Sequence, residues 1–114
     1  MKYSILIFDT PETAARFQGP EGARYMSQWQ PFIKALTDAG IYVAGAGLQP
    51  PDTATTLRFN GDKRLVQDGP YADTKEQLGG YYMIEAPDMD AALSWAARCP
   101  TAGHGTVEVR PLWY

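Results

Sequence analysis

Cysteine, histidine and clustered positive charge are all scarce in this chain of 114 residues. Its one cysteine, Cys99, excludes an internal disulfide and fits a reducing compartment. Its one histidine, His104, stands with that cysteine and scattered carboxylates in no spacing that ligates a metal, so no metal site is expected. Ten Lys and Arg against thirteen Asp and Glu leave a formal net charge of −3. They form no basic run, which removes the electrostatic footprint of a nucleic-acid partner. The apolar stretch at residues 3 to 8 is too short for a membrane span or a secretory leader. Gly45-Ala46-Gly47 and Gly79-Gly80 open no helix and so cradle no phosphate, and no cofactor is implied. A cytoplasmic protein with neither membrane nor nucleic acid as partner is expected.

What remains is ordinary globular material, 45% hydrophobic and 20% charged. The length suits one domain, residues 1 to 114, with a single modest core. Three tryptophans and seven tyrosines are many for that length, and a partner subunit is one way to cover some of them.

Tyr3 to Phe8 reads as a strand with both faces covered, ended by Asp9-Thr10-Pro11. Residues 11 to 21 read as loop, with at most a helical turn at Glu12 to Phe17. A helix is expected from Gly22 to Ala39, with Met26, Trp29, Ile33 and Leu36 on its apolar stripe. Pro31 within it predicts a kink or a restart near Ser27 to Trp29, and Gly40 a stop. Ile41 to Ala46 is a second strand, bent or bulged at Gly45-Ala46-Gly47. Ala54 to Phe59 and Lys63 to Gln67 flank Asn60-Gly61, a hairpin signal. Leu78 to Ala86 is a long strand with Tyr81 and Met83 on one face, Tyr82 and Ile84 on the other. Asp88 is a candidate N-cap for a helix over Met89 to Cys99, with Met89, Ala92, Leu93 and Ala96 buried. Thr106 to Leu112 closes the chain as a strand with Val107 and Val109 inward.

The order is β-α-β-β-β-β-α-β. With the hairpin set aside, the ferredoxin-like βαββαβ unit of an α+β protein remains. Its helices cover one sheet face. The other is apolar too, and a homodimer packing sheet on sheet is the simplest cover.

Asp68-Gly69-Pro70 forces a chain reversal. Asp68, Tyr71, Asp73, Lys75 and Glu76 then crowd one connection before the aromatic strand begins. Two readings of Asp68 are open: its carboxylate holds the turn, or it points into a cleft beside Tyr71 as a general base. Lys75 and Glu76 are adjacent, so in an extended segment one faces a pocket and one solvent, unless both are a solvated edge. Arg58 and Arg110 on strands suggest pairing with Glu76, Asp68 or Glu108, or an anionic ligand. His104, between two glycines, suits proton transfer but has no orienting acid beside it in the sequence. Cys99 follows an apolar stripe and reads as buried rather than nucleophilic. Trp29 and Trp95 read as core or interface anchors.

With these residues in view, the chain resembles the YCII-related family. More narrowly it resembles the DGPF-domain proteins, named for an Asp-Gly-Pro-Phe turn that here reads Asp68-Gly69-Pro70-Tyr71. The match extends to Ala54-Thr55-Thr56-Leu57-Arg58, to Thr74 through Tyr82, to Ala96-Ala97-Arg98-Cys99-Pro100 and to Val107-Glu108-Val109-Arg110-Pro111. The resemblance implies a dimeric α+β barrel. In some YCII-type proteins a His–Asp pair near the first helix is proposed for acid–base work. The Asp position falls here on Asp38 and the His position on Trp29, so that dyad is missing. DGPF proteins also resemble companions of extracytoplasmic-function sigma factors, which implies a possible sigma-factor partner.

The expected site is a cleft between the sheet and the first long helix, with the 68 to 77 loop at its mouth. Trp29, Tyr81 and Tyr82 are expected as apolar wall, and Asp68, Tyr71, Lys75 and Glu76 as polar contacts. Two functions follow. One is a small-ligand-binding or signalling module serving transcription regulation. The other is a small cofactor-free enzyme using carboxylate acid–base chemistry on a compact organic substrate. The missing histidine at Trp29 favours the first.

Overall fold

The computed structural model describes residues 1–72, 74–101 and 105–113, and for residues 14 and 16–18 the backbone alone. The first strand, β1 (Lys2–Asp9), buries Tyr3, Ile5 and Ile7 and leaves Ser4, Leu6 and Phe8 partly exposed. That alternation is the period of a strand with one core face. Residues 11 to 18, expected as loop around a short helical turn at Glu12 to Phe17, form a full helix, α1 (Pro11–Gln18). The Thr10 hydroxyl accepts from the Thr13 N–H at 3.2 Å. Pro11 stands at the first helical position, where a missing donor costs nothing and its fixed φ suits the helix.

The long helix restarts where Pro31 predicts. It divides into α2 (Gly22–Ser27) and α3 (Trp29–Asp38) around Gln28. Pro31 falls in the first turn of α3, the one place where its lost N–H has no intrahelical partner to lose. The apolar stripe does not cross the break. Trp29, Phe32 and Leu36 are buried on α3, whereas Met26 on α2 is exposed, contrary to expectation. Gly40 ends the segment at φ 73°, a left-handed stop open to glycine.

The main sheet has four antiparallel strands in the order β2-β5-β1-β6. They are β1, β2 (Tyr42–Gly47), β5 (Gln77–Glu85) and β6 (Thr106–Pro111). The helix α4 (Met89–Ala96) joins β5 to β6, capped by Asp88, whose carboxylate accepts from the Ala91 N–H at 2.9 Å. Ala92 and Ala96 are buried, but Leu93 is exposed. It lies about 100° around the helix from Ala92 and so leaves the stripe. The core joins Tyr3, Ile5, Ile7, Tyr82 and Ile84 from the sheet to Trp29, Phe32, Leu36, Ala92 and Ala96 from the helices. Buried Tyr25 ties α2 to the turn that follows α4 through the Thr101 hydroxyl at 3.0 Å.

Two more strands, β3 (Thr55–Asn60) and β4 (Lys63–Asp68), form a separate two-stranded sheet. Asn60 pairs with Lys63, so the turn is Gly61-Asp62, one residue beyond the expected Asn60-Gly61. Only Gly61 takes a positive φ, 63°, as a turn with glycine first requires. Nearly every residue of this hairpin is exposed, and it projects as an arm. The radius of gyration, 15.7 Å, accordingly exceeds the value of about 13 Å for a compact chain of this length. Among the described residues no helix is long and apolar enough to cross a membrane.

Candidate functional site

A cleft of about 1010 Å³ opens between the sheet and the α2–α3 segment, reaching residues 74 to 80 at its far side. Trp29 and Tyr82 form its inner wall. Their rings stack at 5.8 Å with planes 15° apart, and Phe32 meets Tyr82 edge-on at 5.5 Å. Offset and edge-to-face contacts of this kind hold aromatic rings in one orientation. The floor is backbone from two paired strands, because Gly47 faces Gly80 across the ladder. A Cβ added at Gly47 would meet nothing within 4 Å, so the space above it is open.

Asp9 enters this cleft from the end of β1. The β1–β5 register slips between Ile7 and Phe8: Ile7 pairs with Gly80, Phe8 with Leu78, and Gly79 is the extra residue. Such a bulge re-aims the residues beside it. The Asp9 carboxylate lies directly against Gly79, where an added Cβ would stand 2.8 Å from Cγ and closer still to Oδ2. Among the described residues Oδ1 is buried with no hydrogen-bond partner. No ion pair among them includes Asp9. Burial pushes its carboxyl above the ordinary value of 3.8, because desolvation disfavours the charged form. Tyr82 is pushed up to about 12, chiefly by burial and further by Tyr42 and Cys99, and stays a neutral phenol at physiological pH. Burial likewise lifts the Cys99 thiol to about 12, which removes it as a nucleophile.

Of the residues expected at the site, Trp29, Tyr82 and Lys75 line this cleft. Glu76 lines an adjoining groove of about 600 Å³, together with Lys75, and accepts from the Thr106 hydroxyl at 2.8 Å. Tyr81 is not in the cleft: it precedes Tyr82 on a period-two strand and faces the other side of the sheet. Asp68 and Tyr71 are outside it as well, at the base of the hairpin arm. Tyr71 is 73% exposed, with the Arg58 guanidinium over its ring at 5.4 Å.

Among the described residues the Asp68 carboxylate makes no hydrogen bond that holds the turn. Gly69, at φ 100°, donates its N–H to Ala54 O, and its carbonyl accepts from the Thr56 hydroxyl, both at 2.7 Å. Arg110 pairs with Glu108 at 2.6 Å on its own strand. Asp38 is exposed, pairs with Lys34 at 2.6 Å and does not line the cleft. Asp73 and His104 lie outside the described residues. Among those described, no group of three or more His, Cys, Asp or Glu gathers to hold a metal ion.

Sequence reasoning missed Asp9, which it took only as the end of a strand. A signal was present. Asp9 continues the odd-numbered series Tyr3, Ile5, Ile7, so it carries a charge onto the core-facing parity.

The fold and the cleft together define a small α+β domain, with a four-stranded antiparallel sheet and an added hairpin, built around a ligand-sized space. The chain belongs to the YCII-related domain family, whose model matches residues 1–114. It is 34% identical over 114 residues to an uncharacterized protein of Rhizobium meliloti (strain 1021), covering 98% of this chain and 92% of that one. Among solved structures it is similar to the 5-chloro-2-hydroxyhydroquinone dehydrochlorinase TftG of Burkholderia phenoliruptrix AC1100, in complex with 2,5-dihydroxybenzoquinone. The identity is 20% and the TM-score 0.49, over 98% of this chain and 93% of that one.

Proposed function

We propose that this protein is a DGPF-type, ferredoxin-like member of the YCII-related family that binds a compact organic molecule between its sheet and α3. The observation that carries this reading is the cleft of about 1010 Å³ itself, walled by Trp29 and Tyr82 and floored by glycine backbone. Concave, mostly apolar spaces with a few polar groups are where small ligands bind. The site comprises Trp29, Tyr82, Asp9 and Lys75. Asp68, Tyr71, Glu76 and Tyr81 serve the hairpin, the adjoining groove and the opposite sheet face. A thermal-shift screen of metabolites on wild type and Gly47→Leu tests the reading. A ligand that stabilises only wild type supports it, since binding to the native state raises stability by mass action. Ligands that stabilise both equally do not use the cleft.

The protein acts as a homodimer in this proposal, a dimeric α+β barrel. Leu6, Phe8, Tyr81 and Met83 on the outer sheet face are partly exposed and stand outside the core cluster. Leu57, Phe59 and Val66 on the arm are 50%, 66% and 59% exposed. A two-stranded hairpin in water is marginal on its own, and a second subunit supplies its cover. Light scattering after gel filtration decides this, and a monomer at micromolar concentration sinks it. A role beside an extracytoplasmic-function sigma factor rests on the DGPF resemblance alone. Co-purification at physiological salt tests it, and a clean negative removes it.

One observation favours a second reading, a cofactor-free enzyme using carboxylate acid–base chemistry. Asp9 is a desolvated carboxylate facing a ligand-sized space, the environment that tunes a general base. An enzyme loses turnover of a screened ligand in Asp9→Asn while retaining binding. A binding module turns over nothing in either form.

A further inference from the structure

The polar side chains beside Asp9 in the chain and across the ladder are already committed. Gln77, its cross-strand partner, directs its amide nitrogen at Ala72 O and Thr74 O, each at 2.7 Å. The Thr10 hydroxyl is engaged with Thr13 at 3.1 Å. A buried carboxylate oxygen without a partner costs the desolvation of that group, and proteins rarely keep one idle. The bulge keeps this one in place. Gly79 leaves room for the carboxylate that any side chain there would displace. Oδ2 is not sealed as Oδ1 is, and Asp9 lines the cleft, so a donor on whatever occupies the cleft meets the carboxylate at Oδ2. The bare floor at Gly47 and Gly80, beneath aromatic walls, admits a flat molecule.

We propose that Asp9 anchors the ligand by accepting a hydrogen bond from an N–H or O–H group on a planar, largely apolar molecule. This rests on the reading of the cleft as a ligand site. The two are separated by a matched pair of fluorescent probes, N-phenyl-1-naphthylamine and its N-methyl derivative. They differ in whether the nitrogen carries a hydrogen to donate.

Wild type is expected to bind the N–H probe tighter by about tenfold or more, the range of a hydrogen bond to a charged group. In Asp9→Ala the ratio falls to near one. Gly79→Ala, which keeps the charge but displaces the carboxylate, lowers the ratio too. Gly47→Leu fills the open floor and weakens both probes together.

Equal binding of the two probes by wild type overturns the assignment of Asp9, because the carboxylate then gains nothing from the ligand's hydrogen. A ratio that survives in both Asp9→Ala and Gly79→Ala also overturns it. If Gly47→Leu leaves both probes bound as tightly as wild type, the cleft reading itself fails. Circular dichroism confirms that each variant is folded. Should Asp9→Ala not fold, the wild-type ratio and Gly79→Ala decide.

Discussion

Replacing Gly45 with alanine tests the cleft wall with one methyl group. Gly45 lies opposite Tyr82 in the β2–β5 ladder, and the Tyr82 ring lies across it. An added Cβ would stand 2.7 Å from Tyr82 Cε1, nearer still to Cδ1, and 3.1 Å from Tyr81 O. Carbon atoms settle at about 3.5–4.0 Å, so the ring must retreat by roughly 1 Å. It cannot do so freely, because Trp29 stacks on it at 5.8 Å and Phe32 abuts it at 5.5 Å. Overpacking of this kind costs about 1–3 kcal/mol. A loss of about 2 kcal/mol lowers Tm by roughly 8 °C in a domain of this size.

Urea denaturation followed by circular dichroism gives the free energy, and tryptophan fluorescence reports the displaced stack. A double-mutant cycle isolates the cause. With Tyr82→Ala in place, Gly45→Ala loses its penalty and gains up to about 1 kcal/mol, since alanine surrenders less backbone entropy than glycine. The coupling between the two sites is then about 2–3 kcal/mol. A Gly45→Ala protein within about 0.5 kcal/mol of wild type, with unchanged fluorescence, refutes the packing described here.

Further outcomes follow from other parts of the structure. The Asp9 carboxyl is raised by burial, so the folded state holds its proton to higher pH than the unfolded state does. The contribution of Asp9 is fully present below the ordinary value of 3.8 and is lost as pH rises through the raised folded value. Asp9→Asn removes that loss: it matches wild type at low pH and is the more stable form near neutrality, as urea titrations across pH measure. Cys99, with its thiol lifted to about 12, reacts with a thiol reagent at pH 8 only as fast as the protein opens, so labelling accelerates with added urea. Asp88→Ala removes the α4 cap and costs about 1 kcal/mol by urea melt. Gly69→Ala places a side chain at φ 100°, costs about 1–3 kcal/mol and loosens the base of the hairpin, as amide exchange at Thr55 to Arg58 reports.

The elements of the fold are legible because their signals are local. Asp88 caps a helix, Gly40 stops one, and Pro31 divides one, each through backbone geometry that needs no distant partner. Tyr82 and Ile84 fall on the core face of β5 because a strand has a period of two. Readings that spanned a break did less well. The stripe from Met26 to Leu36 assumed one continuous helix, and the restart at Gln28 leaves Met26 at the surface. The loop assigned to residues 11 to 21 counted its prolines as breakers, whereas Pro11 begins a helix.

Site residues were harder, because a site is assembled from distant segments. The dense charge at residues 68 to 76 drew attention to the hairpin base, and only its far end, at Lys75, reaches the cleft. Asp9 and Gly79 lie seventy residues apart in the chain, and the bulge that presses them together is a property of two strands, not of either one.

The sequence by itself determined the strands, two of the helical regions and most of the inward-facing residues within them, since steric and hydrophobic periodicity act within a few residues. Only the tertiary structure decided that Asp9 is left without a donor and that a ligand-sized cleft stands open above it. Both depend on the strand register between β1, β5 and β2 and on the seat of α3, and those are settled when the whole core closes.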